Sequence, residues 1–141
     1  MATRQTVVYP GHLFDPEELL TFIEMQGFSD DWKRLGLGDE DLQALQIMIM
    51  LQPEGPPIVS GTGGLRKLRF APAKWATGKS GGARVCYVYF KEFGIVLLVI
   101  AYSKKEKEDI PAGHRSAYRE LIERQRKVFE QRAIKCSRKN K

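Results

Sequence analysis

The apolar positions of the first sixty residues repeat with the period of an α-helix in two segments. Residues 15–27 begin Asp-Pro-Glu-Glu, a typical helix start, and end at Gly27, a typical helix end. Residues 39–52 repeat in the same way and must end before Pro53. A short strand is predicted before them, over residues 6–9. The positions predicted to face inward are Leu19, Leu20, Ile23, Leu42, Leu45, Met48 and Ile49.

After the Pro- and Gly-rich segment 53–57, the apolar period changes from helical to alternating, which is typical of strands. Strands are predicted over residues 65–70, 83–90 and 95–103. The third strand is apolar on both faces, as expected for a central strand that is covered on each side. A last helix is predicted over residues 111–132. Its apolar stripe consists of Tyr118, Leu121, Ile122, Gln125, Val128 and Phe129.

The predicted order β-α-α-β-β-β-α indicates a single α+β domain over residues 1–132, followed by a basic tail over residues 133–141 that we expect to be frayed. Helices packed on one face of a small antiparallel sheet would bury the apolar positions. The other face of the sheet would then stay open. Because side chains alternate along a strand, Lys67, Arg69 and Arg84 would project from that open face.

Charge is distributed unevenly along the chain. Residues 1–60 carry three Lys or Arg against ten Asp or Glu, and residues 61–141 carry twenty against seven. The stretch 65–90 holds six basic side chains and no acidic one. This asymmetry favours a nucleic acid or an acidic partner for the basic half. The alternative explanation of the uneven charge is that the protein has two solvated surfaces of opposite sign that bind no partner.

The basic stretch also restricts the chemistry. It contains no carboxylate that would hold Mg²⁺, so any reaction on RNA is expected to proceed without a metal ion or other cofactor. RNA carries its own nucleophile, the 2′-hydroxyl, and needs only cations together with a proton acceptor and a proton donor. The same cations would equally serve a protein that binds phosphates without cleaving them, and composition alone favours that function.

The two cysteines, Cys86 and Cys136, show neither metal-ligand spacing nor a disulfide framework. The first residues contain no apolar run of the length found in secretory signals, and the longest apolar stretch, 95–101, is too short to span a bilayer. We therefore expect a cytoplasmic protein.

Three blocks of the sequence resemble the RelE/HigB toxin superfamily, and its HigB-like branch in particular. They are GGLRKLR at 63–69, GKSGGARV at 78–85 and YSKKEK at 102–107, and they occur in the family's order. The resemblance extends over residues 6–125. It implies a RelE-like fold. The function that it implies is that of the toxin of a type II toxin–antitoxin pair, which is a ribosome-dependent mRNA endoribonuclease. The implied partners are a cognate antitoxin, the ribosome and mRNA.

The resemblance also implies site residues, position by position. Family members carry alternating basic residues on the strand before the long loop, a basic residue at the start of the next strand that contacts the scissile phosphate, and a basic pair after the last strand. The implied catalytic residues in this chain are Lys67, Arg69, Arg84, Tyr102 and Lys105. The implied RNA-binding residues are Arg66, Lys74, Lys79 and Lys104.

The proton donor is the position at which the sequence departs from the family. Compact members carry a tyrosine near the place where this chain has Pro111, so Tyr102 is the substitute and His114 the second choice. Two other functions remain open. ParE-like relatives share the fold and poison DNA gyrase without cutting RNA, although they generally lack the cluster of cations. A non-catalytic RNA-binding module is the third possibility.

Overall fold

The computed structural model describes the backbone of residues 3–6, 19–73, 75, 82–106 and 109–139, and the side chains of these ranges except for 3–6 and 137–139. Five strands and three α-helices form within this part of the chain. They are β1 (Thr3–Thr6), β2 (Thr21–Met25), α1 (Gln26–Arg34), α2 (Asp39–Leu51), β3 (Leu65–Phe70), β4 (Ala83–Phe90), β5 (Ile95–Ser103) and α3 (Arg115–Lys139). Single 3-10 turns, Lys91–Phe93 and Ala112–His114, precede β5 and α3.

The strands form one sheet in the order β1-β2-β5-β4-β3. Strand β2 is parallel to β5, and the other three pairs are antiparallel. The predicted α+β class is confirmed, and from α2 onward the elements follow the predicted order. The prediction of an antiparallel sheet is wrong at the β2–β5 pair. Strands β3, β4 and β5 have the predicted bounds.

The prediction of a helix over residues 15–27 is wrong in the part that the structure describes. Residues 21–25 form β2, and α1 begins only at Gln26. Residues 7–18, which include most of the first predicted strand and the predicted helix start, lie outside the described residues. In β2, Phe22 and Ile23 are buried in different apolar clusters, one on each side of the sheet. Burial on both sides removes the polar alternation that would have indicated a strand.

Helices cover both faces of the sheet, not one as predicted. Helices α1 and α2 pack on the face that carries Phe22, Val85 and Leu98, which we call the back face. Helix α3 packs through Ile122 and Phe129 on the opposite face, which we call the front face. Strand β5 is central and buried on both sides, as its sequence predicted.

Helix α2 shows how the sequence sets local structure. Three acidic residues occupy its first turn, where their negative charges interact favourably with the helix dipole. The Gly38 amide donates to the Asp41 carboxylate at 3.0 Å and so caps the start of the helix. Leu42, Leu45 and Ile49 are buried, as predicted. Met48 is 42% exposed, contrary to prediction.

Helix α3 buries Ile122 and Phe129 but leaves Val128 exposed. The Phe129 ring meets the Phe90 ring edge-on, with 5.1 Å between centroids. The helix continues to Lys139, and so includes residues 133–139, which were assigned to the tail. Among the described residues, no helix is both long and apolar enough to cross a membrane.

The α2 core contact gives a matched pair of stability predictions. Leu45→Ala removes a fully buried side chain and should lower the free energy of unfolding by about 2–5 kcal/mol. Met48→Ala, on the exposed side of the same helix, should change it by less than about 1 kcal/mol. Urea unfolding of the two variants measures both values. Equal losses would contradict the placement of α2.

Candidate nucleic-acid interface

The register of three strands brings four of the predicted site residues together. Arg69 on β3 lies opposite Arg84 on β4, and Arg84 lies opposite Tyr102 on β5. Residues directly opposite each other in antiparallel strands have Cβ atoms about 4.5–5.5 Å apart. Lys67 is two residues before Arg69 and so shares its face. We call Lys67, Arg69, Arg84 and Tyr102 the front-face row.

A β-bulge determines the place of Tyr102 in this row. Residues Cys86 and Tyr87 are consecutive on β4, but their partners on β5, Ile100 and Leu98, are two residues apart, so Val99 is the extra residue. Without this insertion, continuous alternation from Leu97 would turn Tyr102 to the back face. With it, Tyr102 belongs to the front-face cluster. The bulge therefore re-aims the tyrosine toward the basic residues.

The row has an exposed part and a buried part. Arg69 is exposed and the Lys67 side chain is 29% exposed, so both are accessible to a ligand. Arg84 is only 6% exposed, and its Nη1 donates to the Gly82 carbonyl at 3.0 Å. Tyr102 is 1% exposed. The accessible cations on β3 thus lie beside a buried arginine on β4, which lies beside a buried phenol on β5.

The surroundings of Tyr102 keep its hydroxyl protonated. Burial is the main cause that raises the pKa of Tyr102, Cys86 and Asp109 raise it further, and the positive charge of Arg84 opposes them. A protonated phenol has the right form for a proton donor. Its burial, however, keeps the hydroxyl away from a ligand bound on the surface of the row.

Asp109 is a site residue that the sequence analysis missed. Lys67 Nζ donates to its Oδ1 at 3.3 Å, and the Ile110 amide donates to the same oxygen at 2.8 Å. The backbone hydrogen bond from Ile110 is the main cause that lowers the pKa of Asp109, and Lys67 and Arg115 lower it further against the opposing effect of burial. No local sequence pattern marked Asp109, because its contact with Lys67 depends on the path of the chain between β5 and α3.

The other predicted residues lie at varied positions. Lys104 and Lys105 are exposed in the turn that follows Tyr102, and His114 is exposed in the 3-10 turn before α3. Arg66 points to the back face, where its Nη1 donates to the carbonyls of Glu54 at 2.9 Å and Pro56 at 2.7 Å. It thus fastens the segment before β3. Lys74 and Lys79 lie outside the described residues.

Chemically, the row can bind an anion through two accessible cations and stabilise added negative charge with a third. Within the described ranges, no group of three or more His, Cys, Asp or Glu side chains is placed to hold a metal ion.

No protein-family model matches the chain. The similarity to RelE/HigB toxins therefore rests on the three sequence blocks.

The lowered pKa of Asp109, which is caused first by the Ile110 amide and then by Lys67, predicts a pH dependence of stability. A lowered pKa in the folded state means that the ionised Asp109 stabilises the fold above the ordinary Asp pKa of about 4, and that this stabilisation is lost as the pH falls through the lowered pKa. Asp109→Asn should lower Tm by about 1–3 °C at pH 7, and this loss should become smaller as the pH falls below the ordinary Asp pKa of about 4.

Thermal unfolding between pH 7 and pH 2 measures this difference. Glu123→Gln, which removes an exposed carboxylate from α3, is the control and should shift Tm little at any pH. An Asp109→Asn effect that stays constant over the range would contradict the role assigned to the carboxylate.

Proposed function

We propose that this protein is the toxin of a type II toxin–antitoxin pair, a metal-independent endoribonuclease that cuts mRNA on the ribosome. The observation that carries the proposal is the strand register, which aligns Arg69 with Arg84 and places Lys67 on the same face. Three cations from two blocks of the resemblance thus share one surface. Their convergence on one phosphate would explain why this stretch contains no acidic residue.

In the proposed reaction, the RNA 2′-hydroxyl gives up its proton to a water molecule and attacks the adjacent phosphorus, and the bond from phosphorus to the 5′-oxygen breaks. Arg69 and Lys67 hold the non-bridging oxygens, because their side chains are accessible. Arg84 lies directly beside Arg69 and stabilises the additional charge of the phosphorane. Asp109 orients Lys67 through the ion pair at 3.3 Å.

The leaving 5′-oxygen must receive a proton. Tyr102 has its proton at neutral pH, but it can donate only if the groups that bury it move. Lys105, three residues further along, is exposed and is the accessible donor in this arrangement. Arg66 is assigned a structural role instead of RNA binding, because its guanidinium is engaged on the back face.

A second candidate, the non-catalytic RNA-binding module, is favoured by one observation. Both Arg84 and Tyr102 are almost completely buried, which suits a supporting role better than direct contact with a substrate. In that case Lys67 and Arg69 would bind phosphates and no bond would break.

Mapping of mRNA ends in cells tests the proposal. Cells that express the wild type should show cuts in translated mRNA, and Arg84→Ala should reduce cleavage by about a hundredfold or more, as expected for loss of a cation that stabilises the transition state. Arg84→Lys retains the charge and should retain part of the activity. Circular dichroism of each purified variant distinguishes loss of catalysis from loss of folding. This control is needed because substitution of the buried Arg84 can also destabilise the fold.

The same experiment discriminates among the candidates. Intact mRNA with damaged chromosomal DNA would favour a gyrase inhibitor, and intact mRNA with the protein bound to ribosomes would favour the binding module. Expression should also arrest growth, and co-expression of a cognate antitoxin should relieve the arrest. A harmless wild-type protein would contradict the toxin function.

Salt dependence provides a binding test that does not require cleavage. Affinity for purified ribosomes should fall steeply as salt rises, because bound cations displace counterions from RNA. Arg69→Ala should reduce the slope of log affinity against log salt by about 1. Arg66→Ala, the same change on the same strand but on the back face, should leave the slope unchanged. Equal effects of the two variants would contradict the proposed interface.

A further inference from the structure

A group of ion pairs on the back face connects the end of α1 with the end of β5. Arg34, the last residue of α1, donates from Nε to Glu106 Oε1 at 2.8 Å and from Nη2 to Oε2 at 3.2 Å. The same guanidinium contacts Asp31 Oδ1 at 2.5 Å and the Ala101 carbonyl at 3.3 Å. We call Asp31, Arg34 and Glu106 the α1–β5 clamp.

The two carboxylates of the clamp also bind the backbone around Tyr102. Asp31 Oδ2 accepts the Ala101 amide at 3.0 Å, and Glu106 Oε2 accepts the Ser103 amide at 2.9 Å. Asp31 thus contacts Arg34 with Oδ1 and the β5 backbone with Oδ2, whereas Glu106 contacts Arg34 with both oxygens and shares Oε2 with the Ser103 amide. The residues immediately before and after Tyr102 are thus both held by carboxylates of the clamp.

The clamp also closes the turn that carries the two exposed lysines. Glu106 donates its amide to the Ser103 carbonyl at 3.0 Å, while its side chain returns to the Ser103 amide. Lys104 and Lys105 are the two residues between these anchored positions. A two-residue span held at both ends has little backbone freedom, so the Cα positions of both lysines depend on Glu106 and, through it, on Arg34.

We propose that the α1–β5 clamp positions Lys104 and Lys105 for contact with the RNA backbone, so that Asp31, Arg34 and Glu106 are positioning residues that never touch RNA. The contact with RNA rests on the proposed function. The control of the turn rests on the hydrogen bonds alone. Isolated surface ion pairs contribute little, but a bidentate arginine with backbone contacts on both carboxylates is the arrangement that orders a turn.

The chain supplies a matched control for this inference. Lys33 lies next to Arg34 in the last turn of α1 and is exposed, so Lys33→Gln and Arg34→Gln remove the same charge from neighbouring positions. In Arg34→Gln, hydrogen exchange of the Ser103 and Glu106 amides should accelerate by about tenfold or more, since local opening is easier. In Lys33→Gln, exchange should match that of the wild type. Unchanged exchange in Arg34→Gln would overturn the clamp.

A double-mutant cycle separates positioning from general stabilisation. Arg34→Gln should weaken ribosome binding by about three- to tenfold in the wild-type background and by less than about twofold in a variant that carries Lys104→Ala and Lys105→Ala. Equal losses in the two backgrounds would show that Arg34 acts elsewhere and would overturn the positioning role. If the wild type itself fails to bind ribosomes, the proposed function and the RNA contact are both overturned, while the exchange measurement still decides whether the clamp sets the turn.

Discussion

The burial of β5 on both sides is the constraint from which the rest of the fold follows. Val96 and Leu98 face α1 and α2, and Leu97 and Val99 face α3. A strand with apolar side chains in both directions is stable only if both faces of the sheet are covered. Residues after β5 must therefore return over the front face as α3, and the basic row occupies what α3 leaves accessible. The position of the candidate interface is thus a result of core packing.

The described elements differ in how well local sequence patterns predict them. The bounds of β3 and β4 follow from alternation and from the Gly-rich segment between them, and those of β5 follow from its continuous apolar run between Gly94 and Lys104. Strand β2 could not be predicted in this way, because it is buried on both sides and follows a segment with a helix-start pattern. The covering of both faces was implied by β5 itself, since a strand apolar in both directions is incompatible with helices on one face only.

The residues of the candidate site also differ in whether local sequence patterns predict their positions. Alternation on β3 and pairing with β4 are local properties, so the grouping of Lys67, Arg69 and Arg84 was predictable. The same alternation places Arg66 on the other face, a consequence that the family resemblance concealed. Asp109 was not predictable, since its contact with Lys67 depends on the path between β5 and α3.

The bulge at Val99 has a consequence for comparisons between this protein and others. Because Tyr102 reaches the front face only through one extra residue, its role is determined by a count of residues as well as by its identity. A protein with the same sheet but without the bulge would present the residue one place closer to the start of β5 to the corresponding arginine. Alignments of this strand should therefore allow a one-residue offset after its midpoint, and equivalence should be judged by which face a side chain occupies.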